Sequence, residues 1–249
     1  MDIKAEGNRF HLRGLQMTRL EAFVDAAFAF SVTLLVISVE SVPKSYAEFS
    51  QALESIPAFL ASFLQLMMFW LGHRSWSRRY GLDDLTSVAL SLALVAGILV
   101  LVYPLRVMFT AAISHISDGA VSGSFEVTLE QIGNVFAIYG LGFGVLCGII
   151  ALLHAHAFRR RTALSLNEYE QVQTLWDVYA WCILSSCGFI ALMLSQVLQG
   201  EDVVYAGWIY SLLAILMPLH AYLRAQKIRQ IVIIDAAKNE QDATDDAQR

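Results

Sequence analysis

Charged side chains are scarce in this chain: only 16% of its 249 residues are Asp, Glu, Lys or Arg, whereas 57% are hydrophobic. Together with a mean hydropathy of +0.54, this excludes an ordinary soluble domain of this length. The three cysteines lie inside long apolar segments, where cysteine usually serves as a small apolar packing residue. The composition therefore predicts a membrane protein without disulfide or thiol chemistry.

Motifs that carry catalysis or bind cofactors are also missing. The sequence has no glycine-rich phosphate loop ending in Lys-Ser or Lys-Thr, no His-Glu-x-x-His helix and no recognisable nucleophile arrangement. His154 and His156 are two residues apart, so on a helix they point to different faces and do not form a metal pair. Neither an arginine-repeat voltage sensor nor a carbonyl selectivity filter is readable. We expect no enzyme activity, no bound metal and no cofactor.

Six apolar segments are each long enough to cross or nearly cross a bilayer, for which a helix needs roughly 20 residues. They cover residues 19–39, 56–72, 85–107, 129–153, 175–198 and 203–223. Fifteen of the 17 Lys and Arg residues fall between these segments on one side, as is typical of cytoplasmic loops. The sequence predicts an all-α membrane protein with six transmembrane helices per subunit and both termini cytoplasmic.

The predicted domain organisation is simple. Residues 1–18 form a cytoplasmic N-terminal segment, residues 19–229 form the six-helix transmembrane domain, and residues 230–249 form a polar, acidic tail that we expect to be disordered. Within the fourth segment, Gly140, Gly144 and Gly148 form a ridge of small residues that lets another helix approach closely. That neighbour is a helix of the same subunit or of another subunit.

The first third of the first apolar segment carries three ionisable residues, Arg19, Glu21 and Asp25. Such a group at membrane depth costs at least ~2.5–3.5 kcal/mol on insertion scales, so it normally faces a bundle interior and marks a functional site. On a helical wheel Asp25 lies about 140° from Phe30. We expect it to face neighbouring helices, with His73, Arg74 or Arg19 as partners; a position of Arg19 at the inner mouth of a pore is the open alternative.

The pattern Arg19-x-x-x-Phe23-x-Asp25 resembles the first-helix signature of the endolysosomal potassium channel family, of the transmembrane protein 175 type. The stretch Phe69-Trp70-Leu71-Gly72-His73-Arg74, at the end of the second segment, resembles a second feature of the family. There the helix end is rich in aromatic residues and finishes with a His and a basic residue. With one copy of the signature over six spans, the chain resembles the compact bacterial branch, whose members are homotetramers. The resemblance implies a signature network of Arg19, Phe23, Asp25, Trp70, His73 and Arg74.

The resemblance also implies a potassium-permeable channel of the plasma (bacterial inner) membrane, in which the first helix lines a central pore and apolar rings form the narrowest part. Phe30, Leu34 and Ile37 lie within about 60° of one another on the wheel, with Thr33 on the flank. By position they are the expected constriction and its polar neighbour, with Glu40 in an acidic outer vestibule. Without the resemblance, such a stripe would be expected to face lipid or the bundle.

Two other functions remain open from the sequence. A proton-coupled secondary transporter would use Asp25 and His73 as a relay, although transporters usually show internal repeats or interrupted helices. A non-conducting membrane scaffold would have its pore plugged by Phe30. Val24 and Phe30 differ from the Ser and Ile that the family usually carries at these positions, which bears on conductance and selectivity more than on fold.

Overall fold

The computed structural model describes residues 10–37, 44–117, 129–198 and 200–247. Regular structure in these ranges is helical. The helices are α1 (Arg19–Ile37), α2 (Tyr46–Glu54), α3 (Ile56–Tyr80), α4 (Leu85–Ile116), α5 (Leu129–Arg159), α6 (Glu168–Val197), α7 (Tyr205–Trp208) and α8 (Leu213–Ala247). Short 3-10 turns cover Gly200–Val204 and Ile209–Leu212. Six spans satisfy the length and hydropathy of a membrane crossing, which confirms the predicted all-α, six-helix fold class.

Local sequence signals set the helix ends that later form the site. The Asp84 side chain accepts a hydrogen bond from the backbone N–H of Ser87 and starts α4. Asn167 and Glu170 form a reciprocal capping box at the start of α6. Gly81 ends α3 with a φ of 58°, a left-handed conformation that glycine adopts without steric cost. The turns between α3 and α4 and between α5 and α6 are therefore specified locally.

The helices pack as a row of neighbours. The main contacts of α1 are with α3 and α4; α4 packs against α5, α5 lies along α6, and α8 contacts α6. The buried core lies between α1, α3, α4 and α5, with Phe28, Phe69, Leu94, Phe143 and Ile150 among its largest members. The helix α1 therefore lies at one edge of the described bundle, and α8 lies at the other.

The closest helix contact is between α5 and α6, and we call it the glycine seam (Gly140, Gly144 and Gly188). A Cβ atom on Gly188 would lie 2.7 Å from the backbone N of Gly144, which is too close for any side chain. The Ser185 hydroxyl also donates a hydrogen bond to the carbonyl of Gly144 at 2.7 Å. The predicted small-residue ridge therefore packs within one protomer.

The last helix differs from the expectation of a disordered tail. It continues through residue 230 as far as Ala247, and Ile231 is buried. The segment beyond residue 234 contains four alanines and no Gly or Pro, so nothing in it interrupts the helix although no apolar face is present. Low hydrophobicity indicates that a segment cannot form a core of its own. It does not by itself exclude a helix.

Basic and acidic residues gather at one end of the bundle, which we call the basic end: the end of α3, the start of α4, the end of α5 and the start of α6. Asp177 pairs with Arg79 and with Arg224, the latter at 3.0 Å. Asp84 pairs with His156 at 2.8 Å and with Arg160 at 3.0 Å. Ion pairs thus join α3 to α6, α6 to α8 and α4 to α5 at the same end.

Candidate functional site

Helix α1 has one packed face and one open face. Val24, Phe28, Ser31 and Leu35 are buried against the bundle, at the spacing of a single helical face. The opposite side, which we call the free face, carries Phe23, Phe30, Thr33 and Ile37. Phe30 is 56% exposed and Ile37 is 69% exposed. Large apolar side chains therefore remain uncovered in a single protomer.

The predicted constriction residues divide between these two surroundings. Phe30 and Ile37 lie fully on the free face, whereas Leu34 is half-buried at its margin. Thr33 lies exposed between them, and its hydroxyl donates a hydrogen bond to the Ala29 carbonyl at 3.1 Å. This bond uses the hydroxyl hydrogen and leaves the oxygen lone pairs free to accept. The free face thus combines two apolar side chains with one outward-facing oxygen.

Asp25 is held by the second span through an aromatic side chain. The indole N–H of Trp70 donates a hydrogen bond to Asp25 Oδ1 at 2.8 Å. The Arg74 guanidinium lies over the Trp70 ring, 5.1 Å from its centroid. Asp25, Trp70 and Arg74 are therefore joined, with Trp70 between the acidic and the basic group. The indole, rather than a base, is the direct partner of Asp25 in the structure.

His73 has a different role from the one expected for a partner of Asp25. It is buried, its Nε2 atom pairs with the Ser91 hydroxyl of α4 at 2.9 Å, and its ring lies 5.5 Å from that of Trp76. This contact ties α3 to α4 inside the bundle. The predicted network thus separates into an exposed group around Trp70 and a buried group around His73.

The remaining predicted residues lie at the two ends of α1. Arg19 and Phe23 are exposed on the first turns, and Arg19 lies on the same side of the helix as Ile37. This position is compatible with the alternative that Arg19 faces a pore mouth. Glu40, expected in the outer vestibule, lies outside the described residues.

The other histidines at the basic end have protein partners. The Nε2 atom of His156 contacts Asp84, and Nδ1 of the buried His154 contacts the Ile150 carbonyl at 3.0 Å. Although partial burial raises the pKa of Asp84, hydrogen bonds from Ser87 and from His156 lower it to about 2. Asp84 therefore carries its charge at neutral pH. Among the described residues, no group of three or more His, Cys, Asp or Glu side chains could hold a metal ion.

Sequence reasoning missed one set of contacts, made by the segment that precedes α1. We call residues 10–18 the strap. The Arg13 guanidinium forms two hydrogen bonds to Glu170 at the start of α6, at 3.0 and 2.8 Å. Glu170 was readable as part of a capping signature, Asn167-x-x-Glu170, in the sequence. Its second partner is 157 residues away and carries no sequence signal.

Comparison with known proteins agrees with the fold and the signature. Residues 19–104 match the family described as the endosomal/lysosomal potassium channel TMEM175. A protein of Marivirga tractuosa named "Potassium channel" is 26% identical over 234 residues, covering 90% of this chain and 94% of that protein. The matched family region contains α1, α2, α3 and most of α4.

The structural comparison extends over nearly the whole chain. The crystal structure of a variant of the potassium channel MtTMEM175, in complex with a nanobody fusion protein, superimposes with a TM-score of 0.75 at 23% identity. The match covers 88% of this chain and 98% of that channel. The resemblance indicated by the first-helix signature is therefore confirmed: residues 19–104 match the endosomal/lysosomal potassium channel TMEM175 family, and the fold of a channel of that name matches nearly the whole chain.

Proposed function

We propose that this protein is a potassium-permeable cation channel that assembles as a homotetramer around a pore lined by α1. The single observation that carries the proposal is the free face of α1, which leaves Phe30, Thr33 and Ile37 uncovered while the opposite face is packed. Four copies arranged around an axis would bring these free faces together. The names of the relatives, both potassium channels, support the same function.

Phe30 and Ile37, with Leu34 at their margin, form an apolar neck in this proposal. An ion that enters such a neck loses part of its hydration shell, and a narrow apolar passage can also close by dewetting. Thr33 offers one oxygen per subunit to the partly dehydrated cation, because its hydrogen is already engaged by Ala29. Potassium is favoured over sodium because its hydration shell costs less to strip. The acidic residues near Glu40 would concentrate cations at the outer mouth.

The proposed orientation places the basic end in the cytoplasm. Arg79, Arg160 and Arg224 all lie there, and cytoplasmic ends of membrane helices carry an excess of such residues. The first and last described residues would then lie on the cytoplasmic side of a plasma (bacterial inner) membrane. We propose no enzyme activity and no resident cofactor; the potassium ion is the cargo.

The contacts of Asp25 and His73 disfavour a proton-coupled transporter. A relay between them needs a short hydrogen-bonded path, whereas Asp25 accepts from the indole of Trp70 and His73 pairs with Ser91 of α4. Flux that saturates with potassium and depends on a pH gradient would favour the transporter. Absence of flux in every condition would favour a scaffold whose neck stays plugged.

Potassium flux through proteoliposomes tests the proposal. Replacing Phe30→Ala should widen the neck and raise potassium current by roughly fivefold, the equivalent of removing about 1 kcal/mol from the barrier. The matched control is Leu152→Ala on α5, because Leu152 is a large apolar residue with a similar exposed fraction of 55%. An equal effect of both substitutions, or none of Phe30→Ala, would place the free face against lipid and contradict the proposal.

A further inference from the structure

The strap is clamped to the bundle by an unusually complete set of hydrogen bonds. The side chain of Glu170 has no exposed surface, and each of its oxygens accepts from Arg13. Its Oε1 also accepts from the backbone N–H of His11 at 2.7 Å, and its Oε2 accepts from that of Asn167 at 3.0 Å. A buried carboxylate needs such partners, because a charge left unpaired there is strongly destabilising.

The rest of the Arg13 guanidinium is bound as well. Its Nε donates to the carbonyl of Leu164 at 2.9 Å, in the turn that connects α5 to α6. A bidentate arginine–carboxylate pair with a third backbone contact fixes the side chain in one orientation. The strap therefore cannot slide along this surface while Arg13 and Glu170 remain paired.

The strap also crosses the end of α3 at very close range. The backbone N–H of Gly14 donates to the Arg78 carbonyl at 3.1 Å, and that of Arg13 donates to the Arg79 carbonyl at 3.3 Å. A Cβ atom on Gly14 would lie 2.3 Å from the carbonyl oxygen of Ser77, so this crossing requires glycine. The turns at α3 and α6 thus hold the same four-residue stretch from two sides.

Helix α1 begins at Arg19, five residues after Gly14. From Gly14 to Thr18, whose hydroxyl accepts from the backbone N–H of Glu21 at the helix start, the chain is four residues long. Such a stretch spans at most about 14 Å when fully extended. The start of α1 therefore cannot move far from the end of α3 and the start of α6 while the clamp is closed.

We propose that Arg13 and Glu170 are positioning residues for conduction: their clamp fixes the basic end of α1 and so sets the fraction of time for which the channel is open. This inference rests on the proposed function, because α1 must line the pore for its position to matter. Neither residue lies on the free face of α1. They act through the strap, so the clamp changes gating and leaves the permeability ratio of the neck unchanged.

Single-channel recording of the full chain tests the clamp in two independent ways. Arg13→Gln removes the ion pair with Glu170. A Gly-Gly insertion after Gln16 leaves this pair intact but lengthens the chain between the clamp and α1. Each should change the open probability by about fivefold or more, the lower end of typical coupling between sites. Together they should change it no further than either alone. Arg13→Lys keeps the charge and should fall between Arg13→Gln and the parent.

Two controls separate positioning from stability. Asn167→Ala removes the side-chain cap of α6 but keeps the ion pair between Glu170 and Arg13. It should therefore lower the melting temperature without changing the open probability. The same Gly-Gly insertion between residues 9 and 10 lies ahead of the clamp and should have no effect. An equal response to Asn167→Ala, an unchanged open probability in Arg13→Gln, or an altered potassium-to-sodium ratio would overturn the inference.

A nitroxide label at position 22 measures how firmly the strap holds the start of α1, and this measurement needs no ion flux. Ala22 is exposed near the start of α1, and Cys182→Ser removes the exposed native thiol, leaving the buried Cys147 and Cys187. Arg13→Gln and the insertion after Gln16 should each increase the mobility of the label. If the protein conducts no potassium but the label responds, the proposed function is wrong and the positioning of α1 by the clamp still holds. If currents appear and the label does not respond, the positioning of α1 by the clamp is wrong.

Discussion

The free face of α1 and the glycine seam between α5 and α6 are both apolar, yet they are built from residues of opposite size. The seam is lined by Gly140, Gly144 and Gly188, and its helices approach until backbone atoms touch. The free face carries Phe30 and Ile37, which contact nothing large enough to bury them in one protomer. The small residues thus form the contact between two helices of the same protomer. The large residues on α1 stay exposed and are available to contact whatever surrounds that helix.

The largest effect is expected from filling the seam. In Gly188→Leu the new side chain would meet the backbone of Gly140 and Gly144, which cannot move aside without separating the helices. Overpacking of this kind costs about 3 kcal/mol or more, so we expect a large loss of folded protein and of melting temperature. Gly148→Ala is the matched control, because its Cβ would meet only the Ser185 hydroxyl at 3.3 Å. Equal stability of the two variants would show that the seam is not closely packed.

The attachment of α1 to the bundle should respond less strongly. Trp70→Phe keeps an aromatic ring beneath Arg74 but removes the hydrogen bond to Asp25. A hydrogen bond to a charged group that is partly exposed contributes about 1 kcal/mol, so a fall of a few degrees in melting temperature is expected. Trp208→Phe, at an exposed tryptophan of α7, serves as the control. If both changes act equally, the indole N–H does not hold α1.

The sequence was sufficient for the spans, because long apolar runs leave little choice of structure in a membrane. The helices α3, α4 and α5 begin at residues 56, 85 and 129, as predicted, and the glycine ridge was recognised. Helix ends extend further than the apolar runs, since polar residues continue a helix beyond the bilayer. The pairing of Arg and His residues with Asp84, Asp177 and Glu170 could not be read, because each pair joins segments that are distant in the sequence.

The candidate site was only partly readable for a related physical reason. A helical wheel gives the direction of Asp25 but not its depth or its reach, so Trp70 entered the network without being named as the direct partner. The strap had no apolar period, and its bonds to α3 depend on the close approach of Gly14. The constriction residues and Glu40 stay predictions that conduction measurements must test.

A smaller effect is expected at the basic end, where Asp84 ties α4 to α5. Its pKa is lowered to about 2, so its stabilising contribution is complete above the unfolded-state pKa of about 4. That contribution is lost as the pH falls from about 4 to about 2. After allowance for solvent screening it is at most about 1 kcal/mol.

Asp84→Asn keeps the capping oxygen and removes the charge, which makes it a clean test of this ion pair. Thermal unfolding in detergent should show the parent more stable than Asp84→Asn at pH 6, with the difference shrinking steadily below pH 4. A constant difference between the parent and Asp84→Asn at all pH values would mean that the charge is not what stabilises this end.

The finest distinction is between the two hydroxyls of α1, which differ in surroundings and not in local bonding. Thr33 and Ser31 each donate to the carbonyl four residues earlier, at 3.1 and 2.8 Å, but Thr33 is exposed on the free face and Ser31 is buried. If the free face lines a pore, Thr33→Val removes an oxygen from the path of the cation and should change the potassium-to-sodium permeability ratio by about threefold, equivalent to less than 1 kcal/mol. Ser31→Ala removes the same kind of bond from the packed face and should leave that ratio unchanged. If α1 faces lipid instead, Thr33→Val is expected to be neutral or mildly stabilising, because burial of a methyl group in hydrocarbon is favoured over a hydroxyl.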